Sequence, residues 1–287
     1  MNILSYTTEY LIKKWNLTKD NVLNIQRREA DKIICDIECS ALDLYEQMNQ
    51  KVITPLYSLN KILNGGLPSG TITELVGPPG SGKSQFCMTF VANHLNNINQ
   101  SSIFYIDTNG NFSMNRLFQI LKKNLTLPLD SDTNNMLSKL YFFEPTDKDD
   151  FYAIFINLRE YLQAFKPKLL IIDCMAYYIR TISDLVERTR MSSKIISILK
   201  KTAIEFNMTV LLTNQITGVN SNFYLENAAL GNSWSHYINT RIYLDIDCPD
   251  RLFSEKFIKR QARMVKSSFA FNFVVPFKID VNGVYEI

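Results

Sequence analysis

Short apolar runs and longer amphipathic stretches take turns along most of this chain. From Thr71 onward the pattern predicts strand 71–76, helix 83–97, strand 102–107, helix 113–124 and strand 139–144. It continues with helix 149–165, strand 168–173, a helix over about 184–207 and strand 208–213. The segments Lys168–Ile172 and Thr209–Leu212 are apolar almost without interruption, as expected of central strands covered on both faces. Repeated alternation of strand and helix calls for an α/β fold with a mainly parallel sheet flanked by helices, because parallel strands need crossover connections. Beyond Arg241 the rhythm changes and strand follows strand, at 241–247, about 257–265, 269–277 and 284–287. These are expected to extend the sheet in antiparallel fashion.

The first 48 residues read differently. Leu11, Ile12 and Trp15, then Val22 and Ile25, then Ile33, Ile34, Ile37, Leu42 and Leu44 recur at helical spacing with no strand signal between them. Lys51–Gly70 then concentrates turn formers, in Thr54-Pro55, Asn64-Gly65-Gly66 and Pro68-Ser69-Gly70. The expected organisation is a small helical element and linker over 1–50 and one larger α/β unit over 51–287.

Composition adds limits. With 46% hydrophobic and 21% charged residues the 287-residue chain has the make-up of an ordinary globular protein. No apolar run approaches the roughly 18 residues that cross a bilayer, and the N-terminus lacks a basic segment followed by an apolar one, so no membrane partner is expected. Five cysteines, an odd number spread over the whole length, agree with a reducing intracellular compartment. With only His94 and His236 to join them, and Cys35 and Cys39 lacking a partner pair, a zinc site is disfavoured. A net charge of +3 is compatible with nucleic acid without requiring it.

The most specific chemistry is Gly77-Pro78-Pro79-Gly80-Ser81-Gly82-Lys83-Ser84, which fits G-x-x-x-x-G-K-[ST] at every position and falls between an expected strand and an expected helix. Glycines let the backbone wrap so that its N–H groups face phosphates, and the following helix adds its positive N-terminal end. The expected ligand is ATP with Mg²⁺. Lys83 should reach the β- and γ-phosphates and the Ser84 hydroxyl should ligate the metal. Asp173, at the end of an apolar strand about 90 residues on, is the candidate second carboxylate, acting on Mg²⁺ through water; the alternative is a solvated turn residue.

Beyond the P-loop, several stretches resemble the RecA-type recombinases of eukaryotes, and among them the Rad recombinase paralogues. They are Gly65–Leu75, the P-loop with Gln85-Phe86-Cys87, Tyr105-Ile106-Asp107-Thr108 and Leu212–Thr217, so the likeness covers about 52–287. The segment Ala229–His236, followed by Asn239-Thr240-Arg241 and by Lys266-Ser267-Ser268, is most similar to the B-type paralogue. This resemblance implies a RecA-like core, nuclear location and handling of single-stranded DNA. It also implies assembly into a hetero-oligomer with related paralogue subunits, in support of the recombinase filament during double-strand-break repair or meiosis. It gives Gln215 the part of the glutamine that senses the γ-phosphate, and Arg180 that of a basic residue in the first DNA-binding loop. Read without it, Gln215 is a strand-end amide and Arg180 a surface charge.

One position departs from the resemblance. Active members carry a glutamate where this chain has Asn109, and that carboxylate activates the attacking water. An amide cannot accept the proton, and loss of a general base typically costs roughly 10²- to 10⁴-fold in rate. The expectation is therefore an ATP-binding scaffold with weak hydrolysis. The rivals are a true DNA-dependent ATPase with Asp107 as the base, which exchanges strands itself, and a RecA-fold ATPase acting outside recombination. For DNA contact, the expected loop from Thr217 to Ala229 carries Phe223 and Tyr224, which suit stacking on bases, but also Glu226 and no basic residue. A cluster of Lys256, Lys259, Arg260, Arg263 and Lys266 fits phosphate contact or a charged, aggregation-resistant strand edge equally well.

Overall fold

The computed structural model describes residues 3, 6–35, 40–48, 50–96, 101–124, 132–217, 227–228, 230–246 and 259–287. The chain divides into two compact units, residues 1–47 and 48–287. In the first, helices α1 (Thr8–Trp15), α2 (Lys19–Cys35) and α3 (Ala41–Met48) follow one another, the last running a residue past the division. The starts of α1 and α3 have a local cause. The Thr7 hydroxyl accepts the Tyr10 N–H at the head of α1. Ahead of α3, Ser40 and Asp43 cap each other, through Asp43 N–H to Ser40 Oγ (3.1 Å) and Ser40 N–H to Asp43 Oδ2 (2.8 Å).

The second unit opens with strands β1 (Lys51–Val52) and β2 (Leu67–Pro68), an antiparallel pair joined through helix α4 (Tyr57–Ile62). The alternating region then supplies β3 (Ile72–Val76), α5 (Lys83–Leu95), β4 (Ile103–Asp107), α6 (Met114–Asn124), α7 (Asp132–Leu137) and β5 (Leu140–Phe143). It goes on through α8 (Lys148–Ile156), α9 (Leu158–Phe165), β6 (Leu169–Asp173), α10 (Ala176–Ile179), α11 (Leu185–Glu205) and β7 (Thr209–Asn214). After a short antiparallel pair, β8 (Ile216–Thr217) and β9 (Asn227–Ala228), comes α12 (Gly231–Tyr237). Four strands close the fold, β10 (Thr240–Ile246), β11 (Arg260–Ser267), β12 (Val274–Asp280) and β13 (Gly283–Glu286). One nine-stranded sheet runs β13-β12-β11-β10-β3-β7-β6-β4-β5. It is parallel from β10 to β5 and antiparallel from β10 to β13.

Strand alternation splits the core into two layers. Tyr105, Ile171, Leu211 and Leu244 face one way, into a cluster with Phe86 and Phe90 of α5 and Leu117 of α6. Their neighbours Phe104, Ile106, Leu170, Ile172 and Leu212 face the other way, onto Phe151, Phe155, Ile195 and Leu199 of α8 and α11. Burial of both faces is why these strands are apolar throughout, as the α/β reading of the sequence requires.

Some boundaries differ from the expected ones. The helix expected over 149–165 breaks at Asn157, which ends α8 and whose carbonyl accepts the N–H groups of Glu160 and Tyr161 at the head of α9. The strand expected over 269–277 starts only at Val274, because the Ser267 hydroxyl accepts the N–H groups of Phe269 and Ala270 and holds them in a turn. The strand expected from 257 begins at Arg260 among the described residues and continues to Ser267. Among the described residues no helix is long and apolar enough to cross a membrane.

Candidate nucleotide-binding site

The carboxyl ends of β3, β4, β6 and β7 converge on one edge of the sheet, the usual place for a ligand in an open α/β fold. There the segment 77–84 turns from β3 into α5. Its glycines are dictated by space and by φ. A Cβ on Gly77 would lie 2.2 Å from the Leu244 carbonyl oxygen, and one on Gly82 would lie 2.5 Å from Ile279 Cδ1, with φ at +102° besides. Gly80 has φ +80°. Pro78 O accepts the Ser81 N–H at 3.2 Å, closing the loop, and Gly82 O accepts the Phe86 N–H, starting the helix.

Beside this loop lies a cavity of about 700 Å³ whose walls include Gly80, Lys83, Ser84, Asn109, Asp173 and Gln215. Lys83 Nζ donates to the carbonyl oxygens of Gly77 (2.8 Å) and Pro78 (2.9 Å). Burial lowers its pKa, opposed by the neighbouring Asp173 carboxylate. Asp173, nearly fully buried, accepts from Thr213 Oγ1 (2.5 Å) and Tyr105 OH (3.1 Å), which fix the carboxylate at the strand end. Next to it Cys174 also lines the cavity, its thiol pushed up to about 11 by burial and so neutral.

These groups suit a nucleoside polyphosphate with Mg²⁺. Gly77 and Gly82 have no room for a Cβ and Gly80 holds a positive φ, the first turn of α5 lines the cavity with its free N–H groups, and Ser84 and Asp173 offer hard oxygen ligands. Among the described residues no group of three or more His, Cys, Asp or Glu is placed to hold a metal ion.

The remaining residues singled out from the sequence are placed as follows. Asn109 lines the cavity just beyond β4. Asp107, two residues earlier, uses one oxygen to accept the Asn109 N–H (3.1 Å) and the other to accept the Phe112 N–H (2.8 Å). Its carboxylate is thus committed to shaping its own turn. Gln215 faces the cavity, and its Oε1 accepts Arg180 Nη1 at 2.8 Å, so the cavity and the exposed Arg180 are joined by one hydrogen bond.

The chain from residue 47 to residue 247 matches the Rad51 family model. This chain belongs to the Rad51 family. Its resemblance to the recombinase paralogues is borne out by its relatives. It is 32% identical over 226 residues to the human "DNA repair protein RAD51 homolog 2", a match covering 67% of this chain and 59% of that protein. It is 29% identical over 214 residues to the bovine (Bos taurus) RAD51 homolog 4, covering 71% of this chain and 64% of the relative. Over 319 aligned positions it is 28% identical to RAD51 homolog 3 of Cricetulus griseus, covering 98% and 84%. The chain thus spans about three fifths of the length of the human protein.

Three features of this Rad51-family site escape sequence reading. Glu74, in the middle of β3, is fully buried and accepts from Asn214 Nδ2 (2.8 Å), Trp234 Nε1 (2.8 Å) and Arg241 Nε (2.6 Å). Because Asn214 Oδ1 in turn accepts the Gln215 N–H, this junction underpins the cavity edge. Arg116 is tied to Gln85 and to the Asp280 and Val281 carbonyls, binding α6 to the β12–β13 turn. The basic cluster is also split. Arg260 lines the cavity beside the P-loop, whereas Arg263 and Lys266 line a second cavity with Arg241 and Tyr243. A bulge between Arg241 and Ile242 puts Lys266 opposite Arg241, where its Nζ donates to the Ser235 carbonyl at 2.6 Å. Lys256, Phe223, Tyr224 and Glu226 lie outside the described residues.

Proposed function

We propose that this chain is an ATP-binding recombinase paralogue that assembles with related subunits on single-stranded DNA and supports homologous-recombination repair of double-strand breaks. On this reading it works in the nucleus, in mitotic repair or meiosis, and hydrolyses ATP weakly. The observation that carries it is the P-loop cavity of a Rad51-family core with an amide, Asn109, at its reactive end and Asp107 committed to backbone N–H groups. Lys83 and the loop N–H groups hold the phosphates; Ser84, and Asp173 through water, would hold Mg²⁺, which neutralises phosphate charge. With slow turnover, ATP acts by favouring one conformation over another, and it can do so only through differential binding. Gln215 is the reporter, since the group that lines the cavity also holds Arg180.

Fluorescence anisotropy of a labelled single-stranded oligonucleotide, run beside phosphate release, tests this. ATP with Mg²⁺ should tighten DNA binding by about tenfold, a modest coupling free energy, with little phosphate released. DNA affinity indifferent to nucleotide would overturn the gating, and brisk DNA-stimulated hydrolysis would overturn the scaffold role.

A further inference from the structure

We infer that Arg260 is a second cation of the nucleotide cavity, pairing from the same chain with the phosphates of the nucleotide that Lys83 holds. This inference rests on the ATP-binding reading above.

Strand alternation puts Arg260 there. On β11, Ala262 and Met264 are buried in the layer beneath α5, and Arg260 is the next residue on that face, at the end toward the P-loop. It pairs with Ile246 on one side and Phe277 on the other, strands whose own alternation sends Leu244 and Phe277 into the same layer. The side chain lies against the loop. Arg260 Nη2 donates to the Gly80 carbonyl at 3.4 Å, and a Cβ built on Gly82 would be 3.7 Å from its Cδ and 3.8 Å from its Nε. A Cβ at 82 would thus clash with Ile279 and lie in van der Waals contact with the arginine.

Charge gives the position a purpose. Among the described residues the charged groups lining the cavity are Lys83, Arg260 and Asp173, two cations against one carboxylate. A nucleoside triphosphate keeps negative charge after binding one Mg²⁺, and without Arg260 the described lining would be neutral. Partial burial lowers the guanidinium pKa, yet an arginine stays charged in proteins. Its planar fork can take two phosphate oxygens at once, which an ammonium cannot.

The test uses displacement of a fluorescent ATP analogue from the full chain, with Mg²⁺, by ATP and by inorganic triphosphate. Arg260→Ala should weaken both competitors by about tenfold, the lower end for a charge-assisted pair because the group is half-exposed. Arg260→Lys should fall between Arg260→Ala and the unaltered chain for both. The melting temperature without nucleotide should stay unchanged in both variants, separating a binding loss from misfolding. If Lys83→Ala loses binding while Arg260→Ala stays within twofold of the unaltered chain, the inference fails and the ATP reading stands. Weakening of ATP with triphosphate unaffected would put Arg260 on the nucleoside and overturn the phosphate assignment. Failure of the unaltered chain to bind the analogue would overturn both.

Discussion

Asn109→Glu is expected to raise ATP turnover by roughly 10²-fold or more, the usual contribution of a positioned general base. Asn109 already stands in the wall of the cavity with Lys83, Ser84, Asp173 and Gln215, so the substitution adds the missing proton acceptor where the other parts are assembled. It also has a cost. A new carboxylate cancels the surplus of one positive charge among the described lining residues, and ATP affinity should fall by severalfold as turnover rises. Phosphate release at saturating ATP, with affinity measured separately, would show both changes. If turnover stayed at its original level while affinity fell, the amide at 109 would not be what limits hydrolysis. Asp107→Asn keeps one acceptor for two backbone N–H groups and should lower the melting temperature by loosening the turn that carries Asn109.

The second large effect concerns stability. Glu74 has no exposed surface, and its two oxygens accept from an arginine, an indole and an amide drawn from β10, α12 and β7. Glu74→Ala would leave the largely buried Arg241 without its counter-charge and strand two further donors. Breaking a buried pair in this way costs about 3–5 kcal/mol, a large part of a domain's total stability. Glu74→Gln keeps an acceptor and should cost less. The difference would be read from denaturant midpoints, and a loss below about 1 kcal/mol for the alanine variant would mean that water replaces the carboxylate at Arg241.

What could be read from the sequence follows from how local each signal is. The P-loop is contiguous, and each of its residues meets a constraint set within a few positions, so the pattern and the geometry agree. Asp173 was legible because a carboxylate after four apolar residues ends a doubly buried strand at the ligand edge. Glu74 was not, because a lone glutamate in a strand reads as a solvated residue, and its partners lie 140 to 167 positions away. Arg260 was read only as one of a basic cluster. Its direction depends on how β11 registers against β10, and on β10 pairing with β3 so that the antiparallel extension sits beside the P-loop. The Arg180–Gln215 bond is of the same kind, joining two loops 35 residues apart. The break of the helix at Asn157 shows the limit of periodicity, since the apolar spacing runs through it while the backbone does not.

On the function proposed above, segment 77–84 holds ATP and the chain keeps it intact. The most direct test loads purified protein with labelled ATP and Mg²⁺, isolates the complex, and follows the bound nucleotide over minutes beside Lys83→Ala. A stable complex that still contains ATP is expected, with about a hundredfold weaker binding in the variant, as befits loss of a buried charge-assisted contact. Bound nucleotide already converted to ADP, or retention unaffected by the loss of Lys83, would contradict it.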